Sequence, residues 1–287
     1  MAHLLARLMA LNDGWAKPFG DFNHRWLTAL FRPIRPVKDF LNGTWLGHPV
    51  HAVLTDVPIG VLFLALVLDL LGQTVAADVA ILVGVVTMAA AAIAGLADYS
   101  DTDGAARTRA TLHGTLMAGA LLVYVASLAL RASGPTDRAL PVILSWIGFG
   151  ILAAGGLVGG DVVYAFGNMV DRHAWRGGGA KWIALEVSGD DPNAIPEGVP
   201  VKAKLGINNL VLVRQGETIL ALHDQCAHAG GPLSGGTVAN GTIECPWHGS
   251  RFRLADGRVR RGPALYDQPT YEIRRGEHGW EGRRSQA

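Results

Sequence analysis

Residues 226–250 read CAHAGGPLSGGTVANGTIECPWHGS, and this run decides how the C-terminal part of the chain is built. It carries two Cys–His pairs, Cys226 with His228 and Cys245 with His248, and 16 residues separate His228 from Cys245. Glycine and proline flank both pairs, as tight loops require. Cys226 and Cys245 are the chain's two cysteines, so they cannot be a disulfide and metal ligands together. Zinc sites commonly pair two close cysteines with a separate pair of histidines. The alternating Cys-His, Cys-His order is wrong for that arrangement.

Outward from the run, the sequence is short-segmented and alternating. Segments 182–186, 199–203, 210–214, 218–222, 242–245, 251–254 and 271–274 read as strands. Turn signals divide them at Asn208-Asn209, Gly216, Asn240-Gly241 and Asp256-Gly257. Residues 181–287 are therefore expected to form an all-β domain.

A C-x-H loop followed by C-x-x-H-G-S, on a β domain of this size, resembles Rieske ferredoxins and the Rieske domains of oxygenases. The resemblance covers residues 181–284. It implies an antiparallel β sandwich with a [2Fe–2S] cluster at the tip of two loops. Cys226 and Cys245 would hold one iron, and His228 and His248 the other, with both imidazoles partly exposed. Gly230 and Ser250 are expected to donate hydrogen bonds to the cluster. Gly231 and Trp247 stand near where quinol-oxidising relatives carry a second cysteine pair. The resemblance is thus to the ferredoxin and oxygenase branch, in a reducing compartment.

The N-terminal part has a different composition. Over the whole chain 17 % of residues are charged and 49 % hydrophobic. A soluble protein carries about 25 % charged residues. Four apolar stretches, 50–72, 79–97, 111–130 and 141–160, are each close to the roughly 20 residues that cross a bilayer. Gly155 with Gly159, Gly156 with Gly160, and Ala89, Ala92, Ala94 and Gly95 offer surfaces for close helix approach. Residues 1–47 mix basic and aromatic side chains, and read either as an amphipathic surface segment or as a solvated tail. No cleavable signal is expected in MAHLLARLMALND. The fold expected is multi-domain: segment 1–47, a four-helix transmembrane domain 48–170, a glycine-bearing linker 171–180, and the Rieske domain 181–287.

Arg107, Arg109, Arg172, Arg176 and Lys181 join the basic N-terminal segment on one side, against Arg131 and Arg138 on the other. By the positive-inside rule both termini lie in the cytoplasm of a bacterial inner membrane. His48, His51, Asp56, Asp98, His113 and Asp161 are then expected to converge near the inner surface. Three readings stay open for them: a packing network, a haem b or another metal with His51 and His113 as axial ligands, or a quinone or proton site. Asp69 and Asp78 are expected against headgroups or water. His3, His24, His173, His223 and His278 are expected on surfaces or loops, and Arg258, Arg260 and Arg261 on a solvated strand face. The motif GHPVHAVLTDVP at 47–58, with Gly95, Asp98 and His113, also resembles a family of uncharacterised four-helix bacterial membrane proteins.

The function expected is one-electron transfer by a membrane-bound iron–sulfur protein on the cytoplasmic side. Its partner would be a reductase, an oxygenase component or quinone. The alternative is a redox enzyme using a haem, metal or quinone site in the bundle. Fewer than 40 residues follow His248, so the separate mononuclear iron domain of a Rieske oxygenase is not expected. A net charge of +1 gives no reason to expect nucleic acid as a partner.

Overall fold

The computed structural model describes residues 7, 9–134, 137–175, 179–188, 195–277 and 279–285. The expectations placed on Arg176, on Gly177 and Gly178 of the linker, and on His3 and His278 lie outside the described residues. The chain divides into two compact units, Met1–Asn168 and Met169–Ala287.

The first unit is helical: α1 (Asp13–Phe31), α2 (Arg35–Asn42), α3 (Val50–Leu70), α4 (Thr74–Tyr99), α5 (Gly104–Ala132) and α6 (Ala139–Tyr164). The last four are long and apolar enough to cross a membrane. Their most apolar stretches have mean hydropathies of 1.7 to 2.5, yet no more than 33 % of any of these stretches is buried. The outward surface is therefore itself apolar, which suits hydrocarbon and not water. The helices outrun the apolar stretches because helix-forming residues such as Ala105, Ala106 and Arg107 carry α5 past the hydrophobic limit. Helices pack chiefly as two hairpins, α3 on α4 and α5 on α6.

Residues 13–42 pack on the bundle. Leu27 and Phe31 of α1 cluster with Ala97 of α4, and Tyr99 donates a hydrogen bond to the Gly20 carbonyl (3.1 Å). Trp15, Phe19, Phe22, Trp26 and Leu30 face outward. The helix thus has one face docked on the bundle and one exposed aromatic face.

Ion pairs close both ends of the bundle. At the end where α3 and α5 begin, buried Lys38 pairs with buried Asp101, and Asn42 donates to Asp98 (2.9 Å). Arg107 pairs with Asp21 (3.0 Å) and Arg109 with Asp161 (3.1 Å). At the other end Arg131 grips both oxygens of Asp69 (2.9 and 2.5 Å) and one of Asp78 (2.8 Å), which also pairs with Arg138. The Asp69 side chain is 1 % exposed. The expectation that Asp69 meets headgroups or water is thus overturned, since a buried arginine needs its charge; Asp78 shares that arginine but stays 29 % exposed.

The second unit has ten strands among the described residues. Six close into an antiparallel barrel in the order β1 (Ile183–Val187), β10 (Gly279–Arg284), β9 (Thr270–Gly276), β4 (Thr218–His223), β3 (Asn208–Gln215), β2 (Val201–Leu205). The other four form a meander: β5 (Thr237–Ala239), β6 (Thr242–Glu244), β7 (Arg251–Arg253), β8 (Val259–Arg261). Strand β3 is buried on both faces, so it reads as the continuous run Leu210–Val211–Leu212–Val213. Leu210 and Leu212 fill the barrel, while Val211 and Val213 pack with Ile243, Phe252, Cys226 and Cys245. Asn208-Asn209 opens β3; the turn falls one step earlier, where Gly206 takes the left-handed conformation (φ +59°).

Candidate metal centre

The two Cys–His loops are copies of one backbone device. In the first, the Cys226 N–H donates to the Gly231 carbonyl (2.9 Å) and the Gly230 N–H to the Cys226 carbonyl (2.9 Å). In the second, the Cys245 N–H donates to the Ser250 carbonyl (2.8 Å) and the Gly249 N–H to the Cys245 carbonyl (3.0 Å). Both fourth residues after cysteine are left-handed glycines, Gly230 (φ +85°) and Gly249 (φ +74°). The turn so made aims amides at sulfur. Cys226 accepts from the N–H groups of His228 and Ala229, and Cys245 from those of Trp247 and His248. The expected role of Gly230 is therefore corrected. Its N–H is spent closing the turn, and its neighbours supply the donors.

Both sulfurs are buried and hydrogen-bonded to each other. That bond, then burial, pushes the Cys226 thiol well up, and the same bond holds the Cys245 thiol down to about 7. The imidazoles of His228 and His248 meet edge to face with ring centres 4.9 Å apart. Sulfur thus pairs with sulfur and imidazole with imidazole. No group of three or more His, Cys, Asp or Glu among the described residues is arranged around a single ion. Two separate pairs of donors fit a binuclear centre and not a mononuclear zinc site.

The surroundings lock each loop. Buried Gln268 donates from Nε2 to the carbonyls of His223 and Gln225 (both 2.6 Å), and its Oε1 accepts from the Ala227 N–H (3.0 Å). Arg172 donates to the His228 carbonyl (2.9 Å). Arg261 donates twice to the Gly249 carbonyl (3.0 and 2.8 Å) and pairs with Glu244 (2.8 Å), so it braces the second loop instead of lying on a solvated face. The Ser250 hydroxyl accepts from the Ala264 N–H (3.0 Å), which leaves its proton to donate. Sequence reasoning missed Gln268 and Arg172, because nothing local marks a residue that bonds a loop 40 or more positions away.

Exposure corrects two further expectations. His228 is 5 % exposed, and only His248 is half-buried. His173 and His223 are buried and in contact, with ring centres 4.7 Å apart. A Cβ on Gly231 would touch Trp247 (2.8 Å) and the Cys245 sulfur (3.0 Å), so glycine lets the loops close. Trp247 itself is 55 % exposed beside His248.

In the bundle, His51 and His113 come together with ring centres 6.2 Å apart. The expected six-group convergence does not form. His48 and Asp56 are exposed, Asp98 is held by Asn42, and Asp161 by Arg109.

A small β domain with two matched Cys–His loops is the class that this fold and site define. Comparison with known proteins agrees. The Rieske [2Fe-2S] domain family matches residues 187–272, and the family described as Predicted membrane protein (DUF2231) matches residues 47–172. The ferredoxin component of the naphthalene 1,2-dioxygenase system of Pseudomonas aeruginosa is 30 % identical over 94 residues, covering 33 % of this chain and 86 % of that protein. Human (Homo sapiens) apoptosis-inducing factor 3 is 30 % identical over 73 residues, 25 % of this chain but only 12 % of that protein. Among solved structures, the ferredoxin of carbazole 1,9a-dioxygenase from Nocardioides aromaticivorans IC177 is similar at 24 % identity and a TM-score of 0.29, covering 32 % of this chain and 89 % of that one. The chain belongs to the Rieske [2Fe–2S] family through its C-terminal unit, joined to a DUF2231 membrane domain.

Proposed function

We propose that this protein is a membrane-anchored one-electron carrier whose Rieske domain works on the cytoplasmic face of a bacterial inner membrane. The observation that carries the reading is the pairing of sulfur with sulfur and imidazole with imidazole across two matched loops. Cys226 and Cys245 would hold one iron as thiolates, and His228 and His248 the other. When bound, the [2Fe–2S] cluster supplies reversible one-electron transfer. The four loop amides stabilise negative charge on the sulfurs, and the Ser250 hydroxyl is placed to add a fifth donor. His248, the more open of the two rings, faces the partner, with exposed Trp247 as an apolar contact beside it. The partner is a protein of the reductase or oxygenase-component kind, by analogy with the ferredoxin relatives.

The charge pattern supports the orientation. Arg107, Arg109, Lys38 and the other basic residues of α1 and α2 lie at one end of the spans. At the other end Arg131 is consumed inside an ion pair, which lowers the basic count facing that side. A haem on His51 and His113 would extend the same carrier into the membrane. The enzyme alternative draws no support from Asp56 or His48, which are exposed.

Analysis of non-haem iron and sulfide in the full chain purified in detergent tests the cluster, with two non-haem irons and two sulfides per chain expected. Stoichiometric zinc without sulfide would overturn it. A cysteine introduced beside His248 and probed with a membrane-impermeant thiol reagent tests the side. Labelling of inverted vesicles but not of intact spheroplasts is expected, and the reverse would overturn the orientation.

A further inference from the structure

The two membrane hairpins repeat one another. A shift of 62 residues carries His51 onto His113, Leu62 onto Tyr124 and Asp69 onto Arg131. A shift of 64 carries Gly84 onto Gly148, Ala91 onto Gly155 and Gly95 onto Gly159. The contacts repeat as well. Leu62 lies against Gly84 as Tyr124 lies against Gly148. His51 Nδ1 donates to the Ala91 carbonyl (2.8 Å) as His113 Nδ1 donates to the Gly155 carbonyl (2.8 Å). His51 rests on Gly95 and His113 on Gly159, where an added Cβ would stand 2.9 and 2.8 Å from the ring atoms. Equivalent residues also meet across the repeat: His51 faces His113 at one end, and Arg131 grips Asp69 at the other. The hairpins therefore run in the same direction about an approximate two-fold axis along the spans. Many secondary transporters built from repeats place their ligands at the interface between repeats.

The chemistry at that interface is specific. A carbonyl only accepts, so each Nδ1 carries the proton, and the neutral ring keeps its lone pair on Nε2. No group among the described residues engages either Nε2. Fixing one imidazole nitrogen on a backbone carbonyl is how proteins orient a histidine toward a metal. A metal bonded to two imidazole nitrogens at about 2 Å each sets the ring centres roughly 6 Å apart. The observed separation is 6.2 Å, with the planes at 78°. A packing network would need only the two Nδ1 bonds and gives no reason for the rings to meet.

The site offers two donors and no third, because no third His, Cys, Asp or Glu among the described residues joins them. An ion bound here must bring its remaining ligands. We propose that His51 and His113 are the axial ligands of a b-type haem held between the two hairpins, since a porphyrin supplies four equatorial nitrogens itself. Gly95 and Gly159 are positioning residues that let the imidazoles lie flat on α4 and α6.

The test uses the full chain, expressed with haem precursor and purified in detergent. A Soret band and a reduced b-type pyridine haemochrome are expected, with one haem per chain. His51→Ala and His113→Ala should each lose the haem, and Gly159→Ala should lower its occupancy, while the Rieske EPR signal reports that each variant is folded. The cluster signal and the haem spectrum are separate readouts, so either assignment can fail alone. Protein with an intact Rieske signal that takes up no added haemin would overturn the proposal. So would haem retained in both histidine variants, or copper bound in its place.

Discussion

The Rieske loops and the membrane hairpins both bring two histidines together by duplicating one local device, yet they differ in how much of a site each copy brings. Each loop carries a cysteine, a histidine, two amides aimed at sulfur and a left-handed glycine within five residues. Each hairpin carries one histidine, with the carbonyl that fixes it and the glycine under it on the next helix, about 40 residues away. A motif compressed into one loop is specific in sequence, because every part of the chemistry sits at fixed spacing. A motif spread over two helices depends on packing, and in sequence it looks like two isolated histidines in apolar runs.

The sharpest way to break the comparison is to remove a cluster ligand. Cys245→Ser should abolish the cluster's EPR and visible signals and leave the membrane helices intact by circular dichroism. Retention of the cluster would contradict the ligand assignment. Next in size is Arg131→Leu, which leaves Asp69 as an unpaired buried charge. That should cost about 3–5 kcal/mol, seen as a large fall in thermal stability of the detergent-purified chain. The double variant Asp69→Leu with Arg131→Leu should recover much of the loss. Gln268→Ala strips partners from two carbonyls and one N–H under the first loop, at a cost of about 1–3 kcal/mol, and should speed cluster loss on heating. Ser250→Ala should keep the cluster and lower its midpoint potential in a redox titration. The smallest effect belongs to Asp256. The adjacent Arg253 guanidinium, with help from the Arg258 N–H, holds its carboxyl down to about 2. A depressed carboxylate stabilises the fold above its ordinary range near 4 and loses that contribution as pH falls toward 2. Asp256→Asn should therefore lower the melting temperature slightly at pH 7, and the difference should shrink on acidification.

Much of this is legible in the sequence alone. Loop residues 226–250 carry their chemistry in order, and hydropathy alone finds four spans. The strands that escaped notice, β5 and β10, are three residues long or read GWEGRR, with no alternating face to detect. The Asp69–Arg131 pair escaped because a charge at a span end looks the same whether it meets water or a partner helix. His173 and His223 escaped because burial of a histidine in a loop or at a strand end depends on what folds over it. The hairpin repeat was present in the sequence but faint, since only a few positions match and two different offsets are needed to align them.

Pulsed EPR on the dithionite-reduced full chain probes the cluster ligands most directly. Hyperfine coupling to two histidine nitrogens is expected, with one coupling lost when His248 is replaced by cysteine. An iron–sulfur signal without nitrogen coupling, or a chain that binds metal with no such signal, would contradict the assignment of Cys226, His228, Cys245 and His248.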